Sequence, residues 1–253
     1  MKEARFAISS WSLHGLITCG LLLVDVPAQI AEHGIELLEV CHFHFPNIDE
    51  PYVEKFRRSI DNAGVKFSTL LIDIGDIANP DDVARERDIA AIREWIVAAG
   101  KLGGSRVRIC AGRQAPTEEV IARSTAGLKL LTDFARTLGV EVITENWLET
   151  SLKPAALVQI LEQCGPKLGL CADTGNAEGD DKYDTLAQLL PRASAVHYKA
   201  RYTASGDVEH ADLERCIQLI DEAGYVGPVT LIYGDTKDEW QEVDRLKAAI
   251  LAI

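Results

Sequence analysis

The sequence predicts an α/β protein in which eight parallel strands close into a single (β/α)8 barrel over residues 1–253. Three features carry that prediction. Short runs rich in β-branched residues alternate with longer amphipathic runs from one end of the chain to the other. Glycine recurs directly ahead of the strand runs, where a helix has to stop in a left-handed residue. No GxGxxG turn follows the first strand and no Walker-type loop occurs, so the motifs of open nucleotide-binding sheets are missing and closure is favoured.

Arg5–Ser9 is the first strand, a run that leads out of the N-terminus without any long apolar stretch. The second (Ile35–Val40) follows Gly34, and the third (Val65–Ile72) follows Gly64. Asn79-Pro80-Asp81 opens a helix expected from Asp81 to Leu102, with acids in its first turn where the helix dipole favours negative charge. Gly103-Gly104 ends it ahead of strand four, Ser105–Cys110. Thr117 caps the next helix three residues before Val120, and that helix runs to Leu138 before Gly139 and strand five, Val140–Thr144. A helix from Lys153 to Cys164 stops at Gly165, and strand six is Leu168–Ala172. Ala195–Lys199 is strand seven; a helix from His210 to Ala223, closed by Gly224, leads to strand eight, Val229–Tyr233, and the last helix covers Asp238 to Ile253.

A chain of 253 residues with 47% hydrophobic content can bury one large core, so one domain is expected, with no linker or low-complexity segment to divide it. The 39 acidic residues outnumber the 26 basic ones, and a net charge of -13 repels polyanions, so no nucleic-acid partner is expected. Cys19, Cys41, Cys110, Cys164, Cys171 and Cys216 are scattered without a CxxC pair, which reads as buried thiols in a reducing compartment. With no signal peptide or membrane span in Met1–Ser10, a cytoplasmic location without membrane attachment is expected. Barrels with apolar outer helices often associate, so a homo-oligomer stays open.

In such a barrel the chemistry belongs to polar residues that end the strands. Period-two alternation places Glu145 on the inward face with Ile143, Asp173 with Cys171 and Gly169, and His197 with Lys199. Each has a plainer reading: an Asp before Thr-Gly caps turns, and a single strand histidine is usually satisfied in the core. Three neighbouring strands ending in ionisable groups would nevertheless repel unless a cation or proton sits among them, and a divalent cation is the economical solution. Lys199 either neutralises the acids or orients or protonates a substrate. Cys41-His42-Phe43-His44-Phe45 follows strand two, where its histidines either reach a substrate or pack, and Trp11, Ser12 and His14 after strand one either wall a sugar pocket or fill a gap. Cys110 and Cys171 read as small buried hydrophobes, and Glu178-Gly179-Asp180-Asp181 as solvated loop.

Five segments, in order, carry a resemblance over nearly the whole chain: Gly34-Ile35-Glu36-Leu37-Leu38-Glu39, Gly139–Asn146, Asp173-Thr174-Gly175-Asn176, His197-Tyr198-Lys199 and Glu222-Ala223-Gly224-Tyr225-Val226-Gly227. With them the chain resembles the xylose isomerase-like TIM-barrel superfamily of sugar isomerases and epimerases, whose members include hydroxypyruvate isomerase, ketose 3-epimerases, inosose dehydratase and endonuclease IV. The resemblance implies that Glu145, Asp173 and His197 are three of four ligands to a divalent metal ion (Mn, Mg, Co or Zn), and that Glu39 matches an acidic position on strand two. Where the family has a strand-eight Glu, this chain has Ile232; Asn176 and Ala200 stand where patterns of the family have His and Asp. The implied activity is metal-assisted proton transfer on a small polyhydroxylated carbonyl compound, a carbohydrate substrate, with isomerisation or dehydration favoured over two-base epimerisation. Glu145, His197, Lys199 and His42 are the expected catalytic residues, and Trp11, His14, Glu39, His44, Asn176 and Arg201 the expected substrate contacts. A degenerate barrel that binds a sugar or sugar acid without metal is the alternative, and an endonuclease IV-like nuclease, opposed by the charge and by too few histidines for a zinc cluster, is the third.

Overall fold

Strand runs buried on both faces need helices outside and side-chain layers inside, and the chain supplies both. The computed structural model describes residues 6–235 and 237–253. In chain order its elements are β1 (Phe6–Ser9), α1 (His14–Thr18), α2 (Val26–Glu32), β2 (Leu37–Cys41), α3 (Glu50–Ala63), β3 (Lys66–Ile72), α4 (Asp82–Lys101), β4 (Arg106–Ile109), α5 (Glu118–Arg136), β5 (Glu141–Glu145), α6 (Leu148–Leu152), α7 (Pro154–Cys164), β6 (Leu168–Asp173), α8 (Lys182–Leu189), β7 (Ala195–Lys199), α9 (His210–Glu222), β8 (Val229–Ile232) and α10 (Glu239–Leu251). Each strand pairs in parallel with the next, and β8 pairs back to β1, so the sheet is a closed barrel in sequence order.

Local signals set the helix ends. Thr117 Oγ1 accepts from the Val120 N–H at 3.3 Å and Asp81 Oδ1 from the Ala84 N–H at 2.9 Å, each satisfying a donor that has no partner inside its helix. Gly64 ends α3 with φ 69°, a conformation that a Cβ would strain. Gly104 does something else. It lets the chain pass the Phe67 ring, where a Cβ would lie 2.8 Å from Cε1. The short α6, inserted between β5 and α7, has no counterpart in the periodicity of the sequence. The start of the first strand expected at Arg5 lies outside the described residues. Cys41, Cys110, Cys171 and Cys216 are buried as expected, whereas Cys19 is exposed and Cys164 half-buried, because they sit in the α1 terminus and at the end of α7. Among the described residues no helix is long and apolar enough to cross a membrane.

The main core lies between sheet and helices, filled by outward strand residues such as Val142, Leu170, Val196 and Leu231. Inside the barrel the apolar content is small. Ile143, Cys171 and Ala195 form a separate cluster, and Gly169 leaves the space that Ile143 and Ser194 take, since a Cβ there would come within 2.7 Å of Ile143 Cγ2. Above this plug most inward positions are polar. Asp173 pairs in register with His197, His197 with Thr230, and Lys199 with Ile232, while Glu145 is level with Cys171. β5 and β6 each run one residue beyond the apolar segment that marks them in the sequence, so Glu145 and Asp173 are strand residues held by the ladder.

Candidate active site

The strand ends enclose a cavity of about 380 Å³, of the size that small-molecule sites use. Glu145, Asp173 and His197 meet at its floor, all buried. One donor atom from each lies within 4.8 Å of the others. Nδ1 of His197 is 3.7 Å from Glu145 Oε1 and 3.8 Å from Asp173 Oδ2. Its other ring nitrogen, Nε2, is 2.7 Å from Glu39 Oε2. A carboxylate only accepts, so Nε2–H donates to Glu39 and Nδ1 faces the two acids, where its proton is the one a metal ion would displace. Glu39 is held in turn by the Thr69 hydroxyl, which donates to Oε1 at 3.0 Å.

Asn146 ties the two acidic strand ends together: its Nδ2 donates to the Asp173 carbonyl at 2.9 Å and its Oδ1 accepts from the Asp173 N–H at 2.8 Å. Asp173 Oδ1 accepts from the N–H groups of Gly175 and Asn176, which leaves Oδ2 for the cavity. Asn176 Nδ2 donates to Glu145 Oε1 at 3.1 Å.

Opposite these groups, Arg108 enters the barrel from β4. Its Nη1 bonds Asp73 Oδ1, its Nε lies 3.0 Å from Glu145 Oε2, and its Cζ sits 4.8 Å from the Trp147 ring centre. Burial alone would lower the proton affinity of this guanidinium, but Asp73 and Glu145 raise it well above the ordinary value, so Arg108 is a permanent buried cation. For Glu145, burial favours the neutral acid, and the Arg108 charge outweighs it, driving the pKa down. Asp173 goes the other way, raised by burial and then by the negative charge of Glu145. Burial opposes charge on His197 too, yet Cys171, Glu39 and Glu145, the last as a hydrogen-bond acceptor, lift its proton affinity well above the usual imidazole value. Two acids pushed apart in this way are a pattern of catalytic sites.

The donor set fits a divalent cation. One carboxylate oxygen from each acid and Nδ1 of His197, whose other nitrogen is held by Glu39, face a common point, the three-ligand arrangement of catalytic sites. The fourth corner is apolar: Ile232 is buried and lines the cavity beside Lys199.

The other residues anticipated from sequence fall into two groups. Trp11, Asn176 and Lys199 line the cavity, and Glu39 lies beneath it as the partner of His197. His42, His44 and His14 stand behind the Trp11 and Phe43 rings: His42 Nδ1 accepts from the Asp73 N–H, and His44 bridges the Ser10 hydroxyl at 2.7 Å and His14 Nδ1 at 2.9 Å. Ser12 ties β1 to β8, donating to the Leu231 carbonyl and accepting from the Tyr233 N–H. Arg201 is exposed near Glu209, on an adjoining cavity. Arg108, Asp73, Asn146 and Trp147 were not singled out from sequence. Arg108 had a usable signal, since alternation in Arg-Val-Arg-Ile-Cys puts it inward with Cys110; Asp73, directly after the apolar run of β3, had the same kind.

The profile of the family described as xylose isomerase-like TIM barrel matches residues 27–250. Among solved structures, the fold is similar to that of L-ribulose 3-epimerase, with 18% identity, a TM-score of 0.77, and 99% of this chain and 95% of that one covered. It is similar to 3-keto-D-glucoside 4-epimerase from E. coli, with 15% identity, a TM-score of 0.77, and 99% and 100% covered. It is also similar to the probable 3-DHS dehydratase of petrobactin synthesis from Bacillus anthracis, with 14% identity, a TM-score of 0.78, and 96% and 98% covered. No curated protein sequence matches the chain.

Removing the charge of Arg108 leaves the buried Glu145 and the partly buried Asp73 without their partner, so Arg108→Met is expected to cost roughly 3–5 kcal/mol in urea unfolding, and a cost below about 1 kcal/mol would contradict the bridge. Burial, followed by the charges of His14 and His42, lowers the His44 pKa from 6.5 to about 4. The unfolded imidazole then takes up a proton below pH 6.5 that the folded one refuses until about pH 4, so this group makes stability fall as the pH is lowered across that window. His44→Gln should flatten that part of the profile of urea midpoint against pH; an unchanged slope contradicts the assignment.

Proposed function

Because the chain belongs to the family of xylose isomerase-like TIM barrels, we propose that it is an enzyme that moves a proton next to the carbonyl of a small polyhydroxylated compound. The observation that carries this reading is the convergence of Glu145, Asp173 and His197 Nδ1 on one point, with the His197 tautomer set by Glu39. These three residues would hold a divalent cation. Bound there, the ion supplies Lewis-acid polarisation of the carbonyl and compensates the negative charge that develops on its oxygen.

The protein's own groups do the rest. Arg108 and Asn176 each take one oxygen of Glu145, so the carboxylate enters the reaction already oriented and ionised. Trp11 and Trp147 form apolar walls against which a sugar face packs, and Lys199, which lines the same cavity, orients the substrate oxygens. His42 acts at one remove, by holding the Asp73 backbone, and the His14–His44 pair supports Trp11 from behind. Ile232 offers no proton acceptor from β8, and inverting a carbon needs a base on each of its faces. Isomerisation or dehydration with a single proton-transfer face therefore suits the cavity better than two-base epimerisation. The similar folds of two epimerases and a probable dehydratase fit carbonyl-sugar chemistry in general.

One observation favours a second reading, a barrel that binds such a compound without turning it over. Arg108 already compensates Asp73 and Glu145, and Ile232 removes one customary acid, so the charges at the mouth are partly balanced without a metal.

Metal analysis and turnover separate the two. The enzyme reading expects a divalent ion in stoichiometric amount, turnover of at least one member of a panel of ketoses, aldoses and keto-inositols with Mn or Mg added, and a loss of about 100-fold or more in kcat/KM for Glu145→Gln together with loss of the ion. Ligand binding that is indifferent to metal, with no turnover across the panel, overturns it in favour of the binder.

A further inference from the structure

We infer that the compound taken by this site carries an anionic oxygen group, a carboxylate or a phosphate, which Lys199 receives; this rests on the reading of the cavity as a substrate site. Lys199 ends β7 two residues beyond His197, so strand alternation turns both side chains to the barrel mouth. The space for its stem is kept open by Gly175, where a Cβ would lie 2.6 Å from Lys199 Cβ and Cδ, and Gly234 borders it on the other side, where a Cβ would stand in ordinary contact 3.5 Å from Cε. The lysine is thus cradled between the β6 and β8 loops, and its side chain borders the main cavity and two adjoining ones of about 390 and 540 Å³.

What makes this ammonium informative is that none of the described residues uses it. Among the described residues its Nζ makes no ion pair and no hydrogen bond; only its backbone does, through Thr174. The chain has 39 acidic side chains against 26 basic ones, so a half-buried cation left without a carboxylate runs against composition. The other cations of the cavity are committed. Arg108 is spent on Asp73 and Glu145, and Arg113 gives Nε to the Gly75 carbonyl and Nη2 to that of Asp73, on the far, β3 side. A ligand whose carbonyl lies over the Glu145–Asp173–His197 corner therefore meets one unspent positive charge on the β7 side. A group of two or three anionic oxygens would satisfy several of its N–H donors at once.

The test compares three ligands of one carbon skeleton length on the metal-loaded protein by titration calorimetry: D-fructose, 5-keto-D-gluconate and D-fructose 6-phosphate. The expected result is that at least one anion binds ten times or more tighter than D-fructose. Lys199→Met, which keeps the stem and removes the charge, should erase that preference, and Lys199→Arg should retain most of it. Preference for the keto acid identifies a carboxylate, and preference for the phosphate ester identifies a phosphate. Equal affinity for all three, no affinity for either anion, or a preference that survives in Lys199→Met overturns the assignment. The readout is binding, so a protein that binds the anion through Lys199 without turnover would sustain this inference while defeating the enzymatic one.

Discussion

Compensation of charge inside a closed barrel governs everything at the mouth of this protein. Four carboxylates, from Glu39, Asp73, Glu145 and Asp173, lie on or just under the floor of one cavity, where water screens them poorly. Among the described residues, only Arg108 and His197 are placed to answer them directly. Arg108 spans Asp73 and Glu145, and His197 stands between Glu39 on one side and Glu145 with Asp173 on the other. The two cations divide the acids into a settled half and an unsettled one. Around Arg108 the charges balance; at the corner shared by Glu145, Asp173 and His197, one more positive charge, a proton or a metal ion, has a place.

That division explains the opposite behaviour of two acids on adjacent strands. Glu145 is ionised by its contact with a guanidinium that never loses its charge, and the ionised Glu145 then makes it harder for Asp173 to lose its own proton. Burial raises Asp173 in the first place, and Arg108, on β4 two strands away, sets the two acids apart by overriding the same burial at Glu145. Beneath these groups Gly169, Cys171 and Ala195 leave the room that Ile143 fills, which closes the barrel under the three side chains.

Much of this could be read from the chain because strands impose a period of two. Glu145, Asp173 and His197 each end an apolar run in the inward phase, so their meeting follows once the sheet is known to close. Arg108 obeys the same rule but stands inside its run, where an arginine reads as an edge or solvent position until the barrel interior is seen to hold a partner for it. Glu39 was legible as an inward acid, but its contact with His197 joins residues 158 positions apart across the barrel, and no local pattern encodes that. The histidines after β2 misdirect for a different reason. Residues His42–His44 form one turn of 3-10 helix, which buries both imidazoles and leaves Phe43 at the cavity, whereas an extended loop would have presented the histidines.

The most direct measurement is the anomalous difference density, at the manganese edge, of crystals equilibrated with MnCl2. The account requires a peak bounded by Glu145, Asp173 and Nδ1 of His197, with Arg108 still lying between Asp73 and the outer oxygen of Glu145. Density that shows no peak at this corner, or an Arg108 withdrawn from Glu145 so that the carboxylate turns away from His197, would contradict it.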